Sequence, residues 1–376
     1  MKNIICSFVL FLIASSTFSQ DFWVKRNMRE SVLVGDSGKF SINPYASAFF
    51  DDREYISDIK KGYTYPGFFI QPQLRYKPNK KTSISAGFYT LYFAGNDSVE
   101  RFTPVLSLEV KLLDGVELIL GTLHSQQLHY LPEPLMKPER LFNSLTDKLI
   151  GSQPETGIQF LTEKERFRGD SWTNWERYIK QGSRFQEVFT MGFAAIVKPS
   201  TFSNRNGLTI NFFGLAVHNG GQIDSSYLDV TTMINLAAGL SYRFPIGTGR
   251  NSLGLETTGF LSTDKSPNPK SKYLNGHAIY PKVFIEGNNL RGELGYWYAS
   301  KFDNPRGEEL FGSYSYVKPD FDEDIRNLVT AKIIYTVEVA KGFNLGGKFE
   351  TYYDTKSSIL DWAFTVRLVF YDFLRW

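Results

Sequence analysis

The chain has 376 residues, with 42 basic and 39 acidic side chains, 16% aromatic residues and one cysteine. Charge this close to balance, with no basic stripe, does not indicate a nucleic-acid binder. The 32 Phe and 21 Tyr favour strands, because flat side chains suit a pleated surface.

The chain opens MKNIICSFVLFLIASSTFSQD: one lysine, an apolar run from Ile4 to Ile13, then small residues. This is the pattern of a signal peptide over residues 1–20, cleaved near Ser19 or Gln20. The run is short for a spanning helix, which needs about 20 apolar residues. Cys6 lies inside it, so the mature chain carries no thiol or disulfide into an oxidising compartment. Residues 21–38 form an N-terminal periplasmic segment or plug, and residues 39–376 the main body. Beyond residue 20 no apolar run reaches spanning length, so a membrane-resident form must be a closed barrel.

Period-two alternation then recurs along the chain. Strands are expected near 39–51, 67–77, 82–94, 103–113, 116–123, 155–163, 168–178, 185–197, 207–218, 231–244, 251–262, 277–286, 289–300, 327–339, 344–353 and 359–371. In Ile234–Phe244 one face reads Ile, Leu, Ala, Leu, Tyr, Phe and the other Asn, Ala, Gly, Ser, Arg. The connections alternate short and long: Asp114-Gly115 is a tight hairpin pair, while His124–Pro154 and Lys301–Arg326 are long. Two connections depart from the rhythm: 198–207 is long for a short-turn slot, and 354–358 is short for a long-loop slot. The closing stretch Trp362–Phe370 alternates too, and is read as the strand that pairs with the first near Phe40–Phe50. Tyr76, Tyr242, Phe244, Tyr296 and Tyr298 are expected as aromatic anchors at the lipid interfaces.

In this plan the chain resembles the bacterial outer-membrane porins. The likeness covers the whole mature chain and is architectural: signal peptide, about sixteen alternating strands, short turns opposite long loops, and an aromatic last residue. It implies an all-β transmembrane antiparallel barrel in a Gram-negative outer membrane. The partners it implies are outer-membrane lipid and lipopolysaccharide, the barrel-assembly machinery and small polar solutes, and a homo-oligomer is compatible with it. The long loop His124–Pro154 corresponds to the loop that many porins fold into the lumen.

The polar face supplies pore-lining candidates: Arg75, Glu109, Lys111, Glu117, Arg243, Glu256, Lys282, Glu286, Arg291, Glu293, Lys332, Glu338, Lys348, Glu350 and Arg367. Acids and bases nearly balance, so selection by net charge should be weak. The same charges could instead form internal ion pairs across strands. Glu133, Lys137, Glu139 and Arg140, set among prolines, are constriction-loop candidates. Asp320, Asp322, Glu323 and Asp324 do not fit a twelve-residue calcium loop, and neither metal nor cofactor is expected. His124, His129, His218 and His277 lack a defensible Ser/His/acid spacing. The stretch His218-Asn219-Gly220-Gly221 is similar to the His–Ser–Asn–Gly of outer-membrane phospholipases, without the serine. The chain is therefore read as a diffusion channel for small hydrophilic solutes and not as an enzyme. A substrate-specific transporter, a structural or assembly-partner barrel with a blocked lumen, and a barrel enzyme with a tight cluster of His with carboxylate or Ser at the rim stay open beside it.

Overall fold

A strand with one apolar and one polar face must set each against a different medium, and its free edges must find partners. The computed structural model of the chain does both by closing the sheet. It describes residues 37–124, 128–137, 154–221, 223–247, 251–269, 271–315, 318, 320–370 and 374–375. The signal peptide and residues 21–36 of the proposed plug lie outside the described residues.

Sixteen antiparallel strands follow in order: β1 (Phe40–Glu54), β2 (Tyr63–Asn79), β3 (Thr82–Phe93), β4 (Arg101–Leu113), β5 (Val116–Thr122), β6 (Thr156–Glu163), β7 (Phe167–Arg177), β8 (Val188–Val197), β9 (Gly207–Asn219), β10 (Thr231–Pro245), β11 (Ser252–Asp264), β12 (Asn275–Glu286), β13 (Leu290–Ser300), β14 (Ile325–Ala340), β15 (Phe343–Asp354) and β16 (Ile359–Phe370). All sixteen expected segments are present. Each strand pairs with its sequence neighbours, and β16 closes on β1 from Ala46↔Phe370 to Glu54↔Trp362. A two-residue continuation, Leu374–Arg375, pairs with Ile42 and Ser41.

Alternation decides which residues meet lipid. Phe50, Phe68, Leu106, Phe212, Leu236, Leu255, Leu294 and Phe364 are all exposed, on the outer face. Tyr76, Tyr242, Phe244 and Tyr296 share that face. Water would penalise so wide an apolar surface, whereas hydrocarbon accepts it. Short turns gather at one end, the periplasmic side in outer-membrane barrels. At the Asp114-Gly115 turn, Gly115 has φ +63°, and an added Cβ would sit 2.2 Å from the Glu163 carbonyl oxygen, so only glycine fits.

The two irregular connections have physical explanations. The segment after β8 folds onto the turn before β7: Lys198 N donates to Arg166 O and Phe202 N to Glu165 O, both at 2.9 Å. At the opposite end Asp354 Oδ1 accepts from Lys356 N (2.8 Å) and Ser357 N (3.0 Å), so one carboxylate completes a compact turn in place of a long loop.

The lumen differs from the expected wall of polar and small residues. Trp172, Phe213, Phe260, Trp297 and Tyr352 point inward from the strands and are buried. They pack with Ile59 from the β1–β2 connection, with Leu131, Leu135 and Met136 from the β5–β6 connection, and with Phe302, Leu310 and Phe311 from the β13–β14 connection. Trp297 sits among Phe302 (5.4 Å) and Phe311 (4.9 Å), and its indole N–H donates to Phe311 O at 3.1 Å. Each such side chain contributes about 2 kcal/mol on burial. Alternation separates the two faces, but the contacts that make Trp172 and Trp297 core residues come from loops distant in sequence.

Deleting residues 359–376 removes the strand that closes the barrel. The expected outcome is loss of the heat-modifiable species in gel electrophoresis; a truncated chain that still shows the wild-type mobility shift would disprove the role of β16.

Candidate functional site

The inward charges are drawn into pairs. Arg75 donates to Glu109 at 2.6 Å, Lys282 pairs with Glu256 at 2.7 Å, and Lys348 and Lys332 reach Glu350 at 2.7 and 2.9 Å. Glu286 takes Arg243 at 3.3 Å and Arg291 at 3.0 Å, and Arg291 also holds Glu293. Lys111 faces Glu117 in register and pairs with Asp114 at the turn, while Glu338, near the short-turn end, accepts from Gly342 N. Arg367 lies over the Phe49 ring at 5.9 Å. Of the loop candidates, Glu133 pairs with Lys332 and accepts from the Tyr352 hydroxyl at 3.1 Å. Lys137 approaches Glu308 at 3.3 Å, and Glu139 and Arg140 lie outside the described residues.

The centre of this network is Glu308, which no local pattern singles out. It is fully buried and meets Arg53 (3.4 Å), Lys60 (3.4 Å) and Lys137 (3.3 Å). Those cations arrive from β1, the β1–β2 connection and the β5–β6 connection. Burial alone would raise the Glu308 carboxyl, but Lys137, Lys60 and Arg53 outweigh it and hold it well below the ordinary range.

His129, in the β5–β6 connection, is also fully buried. Its Nδ1 lies 3.0 Å from Asp170 and its Nε2 2.5 Å from Glu155, and its ring stacks on Trp172 with centroids 3.7 Å apart. Burial alone would push the imidazole down, yet the two carboxylates outweigh it and hold His129 above its ordinary value. With both nitrogens on carboxylates it fixes the inward segment and has no position left for a substrate. His124 reaches Glu109 at 3.2 Å inside the barrel.

The outer wall holds a different arrangement. His218 and Thr232 are direct cross-strand partners on β9 and β10. They lie next to the ends of these strands that join the long β9–β10 loop. Their neighbours Val217 and Met233 are buried toward the lumen, which places the pair on the lipid side. His218 Nδ1 lies 2.9 Å from Thr232 Oγ1. The Phe189 ring stacks on the imidazole at 4.8 Å, and Trp175 follows Phe189 at 5.9 Å, anchored through its indole N–H to Glu187 at 2.9 Å. Above this row the β7–β8 and β9–β10 loops are joined by Gly182 N→Ile223 O and Ser225 N→Ser183 O, both 2.7 Å. They expose Tyr178, Phe185, Ile223, Tyr227 and Leu228. A hydroxyl within hydrogen-bond reach of an imidazole is the minimal unit of nucleophilic acyl transfer.

A family model described as Lipid A 3'-O-deacylase-type matches residues 32–375. The chain belongs to that family. This overturns the reading of the sequence as a non-enzyme, since the family is named for an ester-cleaving activity. No curated protein matches the chain. Solved structures share its architecture, that of outer-membrane porin-like sixteen-strand barrels. OccAB4 of Acinetobacter baumannii aligns with TM-score 0.52 and 11% identity over 90% of this chain and 99% of its own. The outer membrane protein OpdK from Pseudomonas aeruginosa gives 0.51 and 12% over 90% and 99%. A loop L8 deletion mutant of OmpT, an outer membrane protein of Vibrio cholerae, gives 0.51 and 12% over 90% and 100%. At these identities the likeness is one of fold.

His218 and Thr232 stand fourteen positions apart, but antiparallel pairing across the β9–β10 loop makes them opposite each other. The facing strand sets the Thr232 hydroxyl beside His218.

Two outcomes follow for the interior. Glu308→Gln leaves Arg53, Lys60 and Lys137 around a neutral group and should cost about 3 kcal/mol. The inward loops should then become sensitive to added protease, and conductance in planar bilayers should rise above wild type. Stability from charged His129 is fully present below the ordinary histidine pKa, about 6.5, and is lost as pH rises through its higher folded value. The thermal midpoint of the folded band should therefore fall from about pH 6 to pH 9, and His129→Gln should flatten that profile.

Proposed function

We propose that the protein cleaves an acyl ester of a glycolipid in the outer leaflet, with His218 and Thr232 as the reactive pair. The observation that carries this is the 2.9 Å contact between His218 Nδ1 and Thr232 Oγ1 on the lipid-facing wall at the long-loop end, in a chain of the deacylase-type family. The ester of an outer-leaflet lipid lies beside that wall, outside the lumen.

The chemistry follows from the pair. Thr232 Oγ1 attacks the ester carbonyl carbon while His218 Nδ1 takes its proton. The bond from the carbonyl carbon to the sugar oxygen breaks, and the imidazolium returns the proton to that oxygen. Water then attacks the threonyl ester with His218 as base, the bond from the carbonyl carbon to Thr232 Oγ1 breaks, and the imidazolium returns its proton to Oγ1 as the fatty acid leaves. No electron acceptor is needed. Phe189 holds the imidazole by stacking, and Trp175 with the apolar side chains of the two joined loops offers a surface for the acyl chain. Among the described residues no carboxylate hydrogen-bonds the second nitrogen of His218.

The second reading, passive diffusion of small hydrophilic solutes, is favoured by the porin-like architecture alone. It requires a route past Leu135, Phe311 and the Glu308 ion pairs, which occupy the long-loop half of the lumen.

Purified protein mixed with lipid A in detergent micelles should release a fatty acid and leave a product one acyl chain lighter by mass spectrometry. His218→Ala and Thr232→Val should each lower that release by about 100-fold or more, with heat modifiability retained. Thr232→Ser should keep activity. Wild-type release from both of the first two variants would remove the pair from the reaction.

A further inference from the structure

A second site stands at the other end of the barrel. Arg168 on β7, Arg243 on β10 and Arg291 on β13 point inward near the short turns, and Lys198 and Arg205 belong to the connection that follows β8. One carboxylate, Glu286, serves three of these five cations: Arg205 at 2.6 Å, Arg291 at 3.0 Å and Arg243 at 3.3 Å. Glu293 adds a second carboxylate to Arg291 only. Among the described residues no carboxylate lies within ion-pair distance of Arg168 or Lys198. The Arg168 guanidinium rests on the Phe202 ring at 4.1 Å, and Lys198 Nζ donates to the Asn204 carbonyl oxygen.

Lys198 is only 5% exposed. Burial, together with the guanidiniums of Arg243, Arg168 and Arg205, pulls its ammonium below the ordinary lysine value. Positive charge is thus gathered in excess around a side chain that is itself largely buried. The site is reachable, since the side chains of Arg205 and Arg243 are 37% and 30% exposed.

We propose that this periplasmic mouth binds a phosphate group, with Arg168, Lys198, Arg205 and Arg243 as its donors. Planar guanidinium forks match an oxyanion with two parallel hydrogen bonds, and the lysine adds a point charge beneath them. A multiply charged phosphate answers the surplus of cations better than a single carboxylate. The donors belong to the lumen, far along the strands from His218 and Thr232, and the proposal stands independently of ester cleavage.

The test uses the full chain refolded in detergent, with inorganic phosphate, a sugar phosphate or sodium chloride at equal ionic strength. Phosphate should raise the unfolding midpoint and chloride should not. Lys198→Met should raise the midpoint without phosphate, because it removes a buried like charge, and should shrink the phosphate-induced shift. Arg168→Gln with Arg243→Gln should weaken phosphate binding by about tenfold or more in calorimetry. Tighter binding of the sugar phosphate identifies a phosphorylated solute as the ligand; equal binding identifies free phosphate. An equal shift with chloride, or phosphate shifts unchanged in the variants, overturns the site and leaves an adventitious ion only. Fatty-acid release should be unchanged in these variants, so failure here is distinct from failure of the ester-cleavage reading.

Discussion

A backbone group left unpaired in hydrocarbon costs several kcal/mol, and this one constraint organises the protein. A sheet of sixteen strands satisfies it only if its first and last strands meet. The β1–β16 register provides that meeting from Ala46 opposite Phe370 to Glu54 opposite Trp362. Once the seam is fixed, alternation fixes everything else about direction. Phe364 and Leu368 must face lipid, and Ala363, Thr365 and Arg367 must face inward. The aromatic stretch Trp362–Phe370 is then a structural edge that has found its partner.

The strands were legible because they depend on neighbours two residues apart. Ile234 to Phe244 and Leu345 to Tyr353 carry their two faces openly, and the Asp114-Gly115 turn announces its own geometry. The interior was not legible, because its partners are set by distance in space. Nothing near Glu308 in sequence indicates that Arg53, Lys60 and Lys137 will surround it. The inward charges of Lys332 and Glu350 could be listed from parity, but whether they would meet water or each other depended on where the long loops went. The candidate reactive pair is an intermediate case. His218 stands out in the sequence by itself, while its neighbour Thr232 is given only by strand register.

The two faces of the wall divide the chemistry. On the inside, carboxylates and cations neutralise one another around an apolar core, and the surplus charge collects near the short turns at Arg168 and Lys198. On the outside, lipid contact is interrupted at the long-loop edge by an imidazole and a hydroxyl, with Phe189 and Trp175 beside them. Glycolipid and aqueous anion would thus approach from opposite compartments and opposite faces of a single sheet.

The packed lumen has a mechanical consequence. A hollow tube of sixteen strands can flatten, and flattening shears neighbouring strands against each other. Two groups carried by adjacent strands keep their spacing only as well as the wall resists that shear. The segments bearing Leu135 and Phe311 turn the long-loop half of the tube into a solid post. The inner wall beside β9 and β10 takes part in this post through Phe213, Leu215 and Ala237. Resistance to shear generated at the axis thus bears on the outer surface, where His218 and Thr232 face each other across β9 and β10.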